Sequence, residues 1–454
     1  MSGASEQTNT LYRESRFKTP KFAIATLFVL ILANISSLLD RSIMSLMVEP
    51  IKSDLIITDV EFGLLHGFAF ALLYSVLGVP IGWLVDRFHR LRIVAIGISI
   101  WSLMTALSGL AHNFLTLFLA RMGVGVGEAS LNPAAYSILS DLFSRQYLAR
   151  AIGAFMMATY IGVGLSYVLG GTLVNMFDGT PVLSLPVLGD TKTWKVIFFI
   201  AAAPGFIIAF ALLLLPEPKR KVASQGRAEK EEGNVPPKTS VLEFTKTNKK
   251  ALITHFIGFV GSVTFANGLL LWVPTLINAN HGISIGVVGQ QFGVALMIVG
   301  GAGPFLGGWL ADTADQRGVR AAPIKVSILL SLLSILPAIA FPWVSSLFVM
   351  YLFLSSTILV LTAQIGLAIT SLQLITPSEL RGQVSAIFLM LVNIVGIGFG
   401  PALIPWIGSL LEPASTNLNL SVSFLGGMTA LLSVLSLSAG IKAYQRSDKM
   451  MGFE

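Results

Sequence analysis

The chain has 454 residues, 54% of them hydrophobic and only 12% charged, with 30 Lys and Arg against 23 Asp and Glu and a net charge of +7. An ordinary soluble domain carries roughly twice that charged fraction, so the composition argues against a soluble enzyme and against a disordered chain. There is no cysteine, which excludes a disulfide framework, a thiol nucleophile and Cys-ligated zinc or iron–sulfur sites.

A membrane-spanning helix needs roughly 20 mostly apolar residues. Runs of that kind predict twelve spans, over 22–48, 60–84, 93–111, 114–139, 149–176, 194–215, 251–278, 285–311, 323–342, 345–374, 382–410 and 420–443. The first run is too long for a cleaved signal peptide, lacks a small-residue cleavage site and continues into eleven more spans. If the N-terminus is cytoplasmic, 25 of the 30 Lys and Arg fall in cytoplasmic segments and only Lys52, Lys192 and Lys195 on the opposite face, with Arg41 and Arg121 inside spans. That asymmetry places both termini in the cytoplasm. The basic balance therefore reads as membrane orientation, with no nucleic-acid partner. Residues 216–250 are polar, carry both charge signs and read as a cytoplasmic linker with a short amphipathic helix within VLEFTKTNKK. The expected organisation is a segment 1–21, a six-helix bundle 22–215, the linker, a second bundle 251–443 and a tail 444–454.

The halves echo each other. Gly82-Trp83-Leu84-Val85-Asp86 closes span 2, and Gly308-Trp309-Leu310-Ala311-Asp312 closes span 8. SRQYLARAIGAF after span 4 parallels TPSELRGQVSAIF after span 10. Two six-helix halves of this kind resemble the major facilitator superfamily. The resemblance implies an all-α membrane protein of two pseudo-symmetric bundles with a cavity between them. The loop GWLVDRFHRLR at 82–92 is similar to that superfamily's signature between helices 2 and 3, with His89 where glycine is usual. A conformational latch is expected there: Gly82 for close helix contact, and Asp86 paired with Arg87 or Arg90 or capping the facing start of span 11. Asp141 and Arg381, at the matching loops, complete it. The plain alternative is a tight turn with topology-setting charges.

Four formal charges fall inside spans: Asp40 and Arg41 in span 1, Arg121 and Glu128 in span 4. A charge at the bilayer centre costs at least roughly 2.5–3.5 kcal/mol on insertion scales, so each is a functional candidate. Arg121 and Glu128 are two helical turns apart, about 10 Å along one face. A cluster is expected with Arg41 reaching toward Glu128 and Asp40 near Arg121. A Glu128 that alternates between an arginine and a proton is a proton switch. Arg41 and Arg121 stay cationic and offer paired donors to a phosphate or carboxylate. An anion competing with Glu128 for Arg41 couples proton to substrate. The alternative is a fixed ion network that only sets helix packing.

LLDRSIMS, GWLVDRFHR, RMGVGVGEASLNPAAYSILSDLF and GVGLSYVLGG together resemble the Spinster family, mainly over 36–171, in the manner of a bacterial member. What this implies is a proton-coupled secondary transporter of an amphipathic anionic lipid, lysophospholipid-like or sphingosine-1-phosphate-like. Glu128 and Asp40 would carry protons, and Arg41, Arg121 and Glu128 would meet the headgroup. The expected setting is a multi-pass protein of the cell membrane (the inner membrane in a bacterium). It would act as a monomer among membrane lipids, with no cofactor. Span 5 lacks the Gly-Pro step of drug:proton antiporters. A transporter of a small soluble organic anion, such as a sugar acid, and a non-transporting lipid-responsive membrane protein stay open as alternatives. A membrane hydrolase lacks any Ser-His-Asp or metal frame. The five histidines form no metal pair, and with no GxxxxGK[ST] loop ATP is not the driver. His66 and His255 are candidate relays or hydrogen-bonded interior groups. Phe68, Phe70, Met156, Met157 and Tyr160 are candidates for an acyl-chain path, and Trp272, Trp343 and Trp406 read as interface anchors.

Overall fold

A computed structural model describes residues 21–186, 189–218, 220, 241–377, 380–412 and 417–450. Within them lie twelve helices long and apolar enough to cross a membrane. They are α1 Lys21–Leu46, α2 Asp59–Arg87, α3 Arg90–Ser108, α4 Phe114–Leu142, α5 Arg145–Met176 and α6 Thr193–Leu213. The second half holds α7 Lys249–His281, α8 Ile285–Gln316, α9 Ala322–Trp343, α10 Leu347–Ile375, α11 Arg381–Leu411 and α12 Leu418–Ser447. In hydrocarbon every backbone group must be satisfied within the segment, which leaves the helix as the form available to these runs. The connections α2–α3, α4–α5, α8–α9 and α10–α11 share one face with the start of α1 and the end of α12, called here the terminal face. The linker between α6 and α7 is on that face too, where Glu217 meets Arg90, and the remaining connections lie on the far face.

Several features depart from the predicted spans. The first run ends at Leu46, and a separate helix Val48–Leu55 follows on the far face. Between α5 and α6 an antiparallel hairpin, β1 Val182–Leu185 and β2 Gly189–Lys192, takes the place of plain loop. Asp54 anchors it by pairing with Lys192 and accepting from the Trp194 indole N–H at 2.9 Å. The amphipathic segment of the linker forms a helix, Val241–Thr247, with Phe244 buried against the second half. Residues 219 and 221–240 of the linker, residues 1–20 of the N-terminal segment and the last four residues of the tail fall outside the described residues. Trp343 and Trp406 are half exposed near span ends, but Trp272 is buried and donates to the Pro401 carbonyl at 2.7 Å, so it is a packing residue and not an interface anchor.

The halves meet on the far face. One apolar cluster there draws on both: Met44, Phe62 and Tyr167 pack with Leu269, Trp272 and Phe292. Toward the terminal face each half keeps its own cluster. Glycines permit the far-face contact. A Cβ on Gly63 of α2 would stand 2.6 Å from the Ala402 Cα of α11, and one on Gly67 would strike the Gly398 carbonyl. Between α5 and α8, Cβ atoms on Gly164 and Gly171 would strike the carbonyls of Gly293 and Gly286. Tyr167 seals the same seam, donating its hydroxyl to the Leu270 carbonyl and setting its ring edge-on to Phe292. Gly82, Gly153, Gly308 and Gly382, in the terminal halves of these same four helices, would each meet nothing within 4 Å. The structure is closed on the far face and parted on the terminal face.

Candidate functional site

Asp40, Arg41, Arg121 and Glu128 come together inside the first half. Tight backbone packing brings α4 into place. Cβ atoms on Gly97 of α3 and Gly127 of α4 would collide with the opposite backbone, and one on Gly125 would strike the Phe70 carbonyl of α2. The helix run of α4 breaks just after Glu128, at Ala129–Ser130, before resuming at Leu131. Glu128 thus sits at the end of a helical segment in mid-span.

Arg41 clasps Glu128. Its Nε donates to Oε2 at 3.0 Å and its Nη2 to the same oxygen. The Glu128 side chain is 2% exposed and that of Arg41 26%, so the pair faces open space only through the arginine. The Arg41 guanidinium also lies over the Phe70 ring, 3.6 Å from its centre. Asp40 accepts from Thr105 Oγ1, which also lies 2.9 Å from the Trp101 carbonyl. A hydroxyl has one proton to give. When Thr105 spends it on the Trp101 carbonyl, the Asp40 contact needs a proton on the carboxyl itself. Arg121 is wholly buried among Asp40, Glu128 and Arg41. Its Nε, Nη1 and Nη2 have no hydrogen-bond partner among the described residues, and neither do Asp40 Oδ1, Glu128 Oε1 or His66 Nδ1. Arg121 is therefore sealed inside the first half in this conformation, while Arg41 is partly exposed.

An apolar cavity of about 320 Å³ is walled chiefly by α7, α8, α10 and α11 of the second half, and none of the four charged residues lines it. Val263, Leu269, Phe292, Leu361 and Ile397 line it, with Asn267 and Thr362 among its few polar groups. Its first-half wall includes Thr159, whose hydroxyl accepts from Asn34 of α1 at 2.8 Å. Asn34 is two turns, about 10 Å, below Arg41 on α1. Two π-helical stretches, Leu296–Gly300 and Val392–Phe399, border the cavity, a distortion common at functional sites. Of the residues expected to form an acyl path, Phe70 lies under Arg41 and Phe68 packs on Phe399. Met156 and Met157 are exposed, and the Tyr160 side chain lies outside the described residues. His255 is a hydrogen-bonded interior group, with Nε2 2.9 Å from the Ala368 carbonyl.

The expected latch divides. Arg90 is buried and pairs with Asp141 and with Glu217, at 2.8 Å to the latter. Glu217 also accepts from the Leu91 N–H at 3.0 Å and lies 3.0 Å from His89 Nδ1. Arg90 is therefore not a partner of Asp86, and Arg87 is not either: its guanidinium lies 4.0 Å from the centre of the Trp83 ring. Asp86 and Arg381 have no ion pair among the described residues, and Gly82 touches no opposite helix. The charges of α11 and α2 are held apart because the terminal face is parted. Glu217 was legible in the sequence only as linker, since nothing local marks it as the partner of a loop 127 residues away.

Arg90 and the Leu91 N–H hold the Glu217 carboxyl below its ordinary range against the opposing effect of burial. A carboxylate held low contributes stability above its unfolded value, and the contribution disappears as pH falls through the depressed value. Glu217→Gln is expected to lower stability by about 1.5–3 kcal/mol at neutral pH, the scale of a hydrogen bond to a charged group. Thermal melting of the purified protein should show this difference shrinking as pH falls below about 4.5. An equal difference at every pH would exclude the charge as the cause.

The sequence matches the Major Facilitator Superfamily over residues 30–401. The chain belongs to this superfamily. It is a multi-pass, Spinster-like major facilitator transporter, and not an enzyme. It is 32% identical over 263 residues to protein spinster homolog 1 of Xenopus tropicalis, a match over 56% of this chain but only 46% of that one. It is also 26% identical to a probable L-galactonate transporter of Escherichia coli (strain K12), over 69% of this chain and 66% of that one. In fold the transporter resembles a crystal structure of a bacterial homolog of the human lysosomal transporter Spinster in an inward-facing, unoccupied conformation. That match has a TM-score of 0.79 and 23% identity, over 96% of this chain and 100% of the other.

Proposed function

We propose that this protein is a proton-coupled secondary transporter that moves an amphipathic anionic lipid, such as a lysophospholipid, by alternating access. The observation that carries the reading is the pairing of a partly open Arg41–Glu128 clasp with an apolar cavity in the charge-free interior of the second half. A guanidinium offers paired donors to a phosphate, and the cavity offers an acyl chain a dry wall. Arg41 meets the headgroup. Glu128 gives up Arg41 to the headgroup on one leg of the cycle and takes a proton on the return leg. Asp40, already sharing a hydroxyl contact with Thr105, is the second proton site. Arg121 meets no substrate in this conformation and holds the two carboxyl groups in register. With the excess of Lys and Arg on the terminal face, that face is cytoplasmic, and the present conformation is inward-facing. Gly82, Asp86 and Arg381 then form the latch of the opposite state, and Arg87 joins them if it leaves Trp83. Arg90 and Asp141 serve it indirectly by fixing the α2–α3 turn.

The likeness to a probable L-galactonate transporter favours a second reading, a small soluble organic anion held by the same Arg41. Flux of a labelled lysophospholipid into proteoliposomes, with and without an imposed pH gradient, separates the two. The gradient is expected to drive wild-type flux, and Glu128→Gln to remove that dependence. Transport of a sugar acid with no movement of lysophospholipid would overturn the lipid assignment.

A further inference from the structure

A proton-coupled carrier built on Arg41 and Glu128 has to solve the pairing of Arg41 in one particular state. Breaking a buried ion pair by removing one partner is strongly destabilising. In the loaded carrier the anionic headgroup replaces Glu128. In the empty carrier with Glu128 protonated, neither is available. Arg121 repels Arg41, and Asp40 is engaged with Thr105 beside Arg121. What lies against Arg41 is a face of α2. The guanidinium is 3.6 Å from the centre of the Phe70 ring and 5.8 Å from that of Tyr74, and these two rings stack with centres 5.2 Å apart. Residues four apart share one helix face, so Phe70 and Tyr74 present their rings in line.

The Phe70 ring is anchored. Its side chain is 1% exposed, and its carbonyl bears on Gly125 of α4. The same helix carries Gly63 and Gly67 of the far-face seam, so the rings travel with the helix that opens and closes the cavity. A guanidinium over an aromatic face is attracted by the ring quadrupole, most strongly where water is excluded.

We propose that Phe70 and Tyr74 form a cation–π platform on which Arg41 rests while it is paired with neither Glu128 nor substrate, and that this platform permits the empty carrier to return. The proposal rests on the transport reading above. Phe70 is here a positioning residue, acting through Arg41.

Net uptake of a radiolabelled lysophospholipid into empty proteoliposomes requires the empty return. Exchange against the same unlabelled lipid inside does not. Loss of a desolvated cation–π contact predicts that Phe70→Leu lowers net uptake about tenfold and leaves exchange within about twofold, while Phe70→Trp restores net uptake. A parallel fall of both activities, or no change in net uptake, overturns the proposal. If wild type carries the lipid in neither assay, the substrate assignment fails instead. The platform is then decided on substrate-free protein. The chain has no native cysteine, so spin labels go to cysteines introduced at Arg150 and Lys325, at the terminal ends of α5 and α9. In the Glu128→Gln background two distance populations are expected, and Phe70→Leu should collapse them to one. An unchanged distribution overturns the platform.

Discussion

Gly164→Val is expected to prevent the far-face seam from closing, and Gly82→Val to prevent the terminal face from closing, so the two should push the transporter in opposite directions. At Gly164 the added side chain runs into the Gly293 carbonyl and the Met297 side chain across the α5–α8 seam. At Gly82 it meets nothing in the present conformation, and its cost falls on the state in which α2 approaches α11. Overpacking costs about 1–3 kcal/mol, which shifts a two-state equilibrium by roughly 5- to 150-fold. Either substitution should therefore cut lysophospholipid flux at least about fivefold. Labelling of single introduced cysteines distinguishes them. A cysteine at Val288, fully buried in the far-face cluster, should become reactive with Gly164→Val and stay protected with Gly82→Val. Equal reactivity in both would mean that the glycine seams do not set the conformation.

The second large effect concerns Arg121. It is wholly buried, and its charge is balanced by Asp40 and Glu128. Arg121→Met leaves those two carboxylates with Arg41 alone, and removing one partner of a buried ionic group costs about 3–5 kcal/mol. A fall in melting temperature and loss of flux are expected together. Adding Asp40→Asn removes the stranded charge, so the double variant should regain much of the stability while remaining inactive. Neighbours in one network couple by about 0.5–3 kcal/mol, well within reach of a double-mutant cycle. Strict additivity of the two substitutions would show that Asp40 and Arg121 do not act as a pair.

The twelve spans were legible because a bilayer imposes one strong rule on every segment that crosses it: backbone groups must be satisfied within the helix. Apolar length alone finds such helices. The charges of the site were legible for a related reason. In an apolar interior an ionisable residue is costly and conspicuous, so Asp40, Arg41, Arg121 and Glu128 stood out without any contact being known. Gly82 of α2 was visible as a residue that allows close approach, but periodicity does not say which helix approaches.

Partners across long sequence separations were not legible. Glu217 holds Arg90 from the start of the linker, Thr105 holds Asp40 from α3, and Trp272 bonds Pro401 inside the second half. Each depends on how helices rotate and cross, which sequence spacing within one helix does not specify. The Arg41–Phe70 contact belongs to the same class, as does the break in α4 after Glu128.

The sequence by itself determined the twelve membrane spans, the superfamily and the set of intramembrane charges, because these follow from the cost of putting polar groups into hydrocarbon. Only the tertiary structure decided which of the intramembrane charges is partly exposed, which latch residues are engaged and on which face the halves close. Those are outcomes of helix packing, in which a glycine that spares one Cβ lets two backbones touch and its absence keeps them apart.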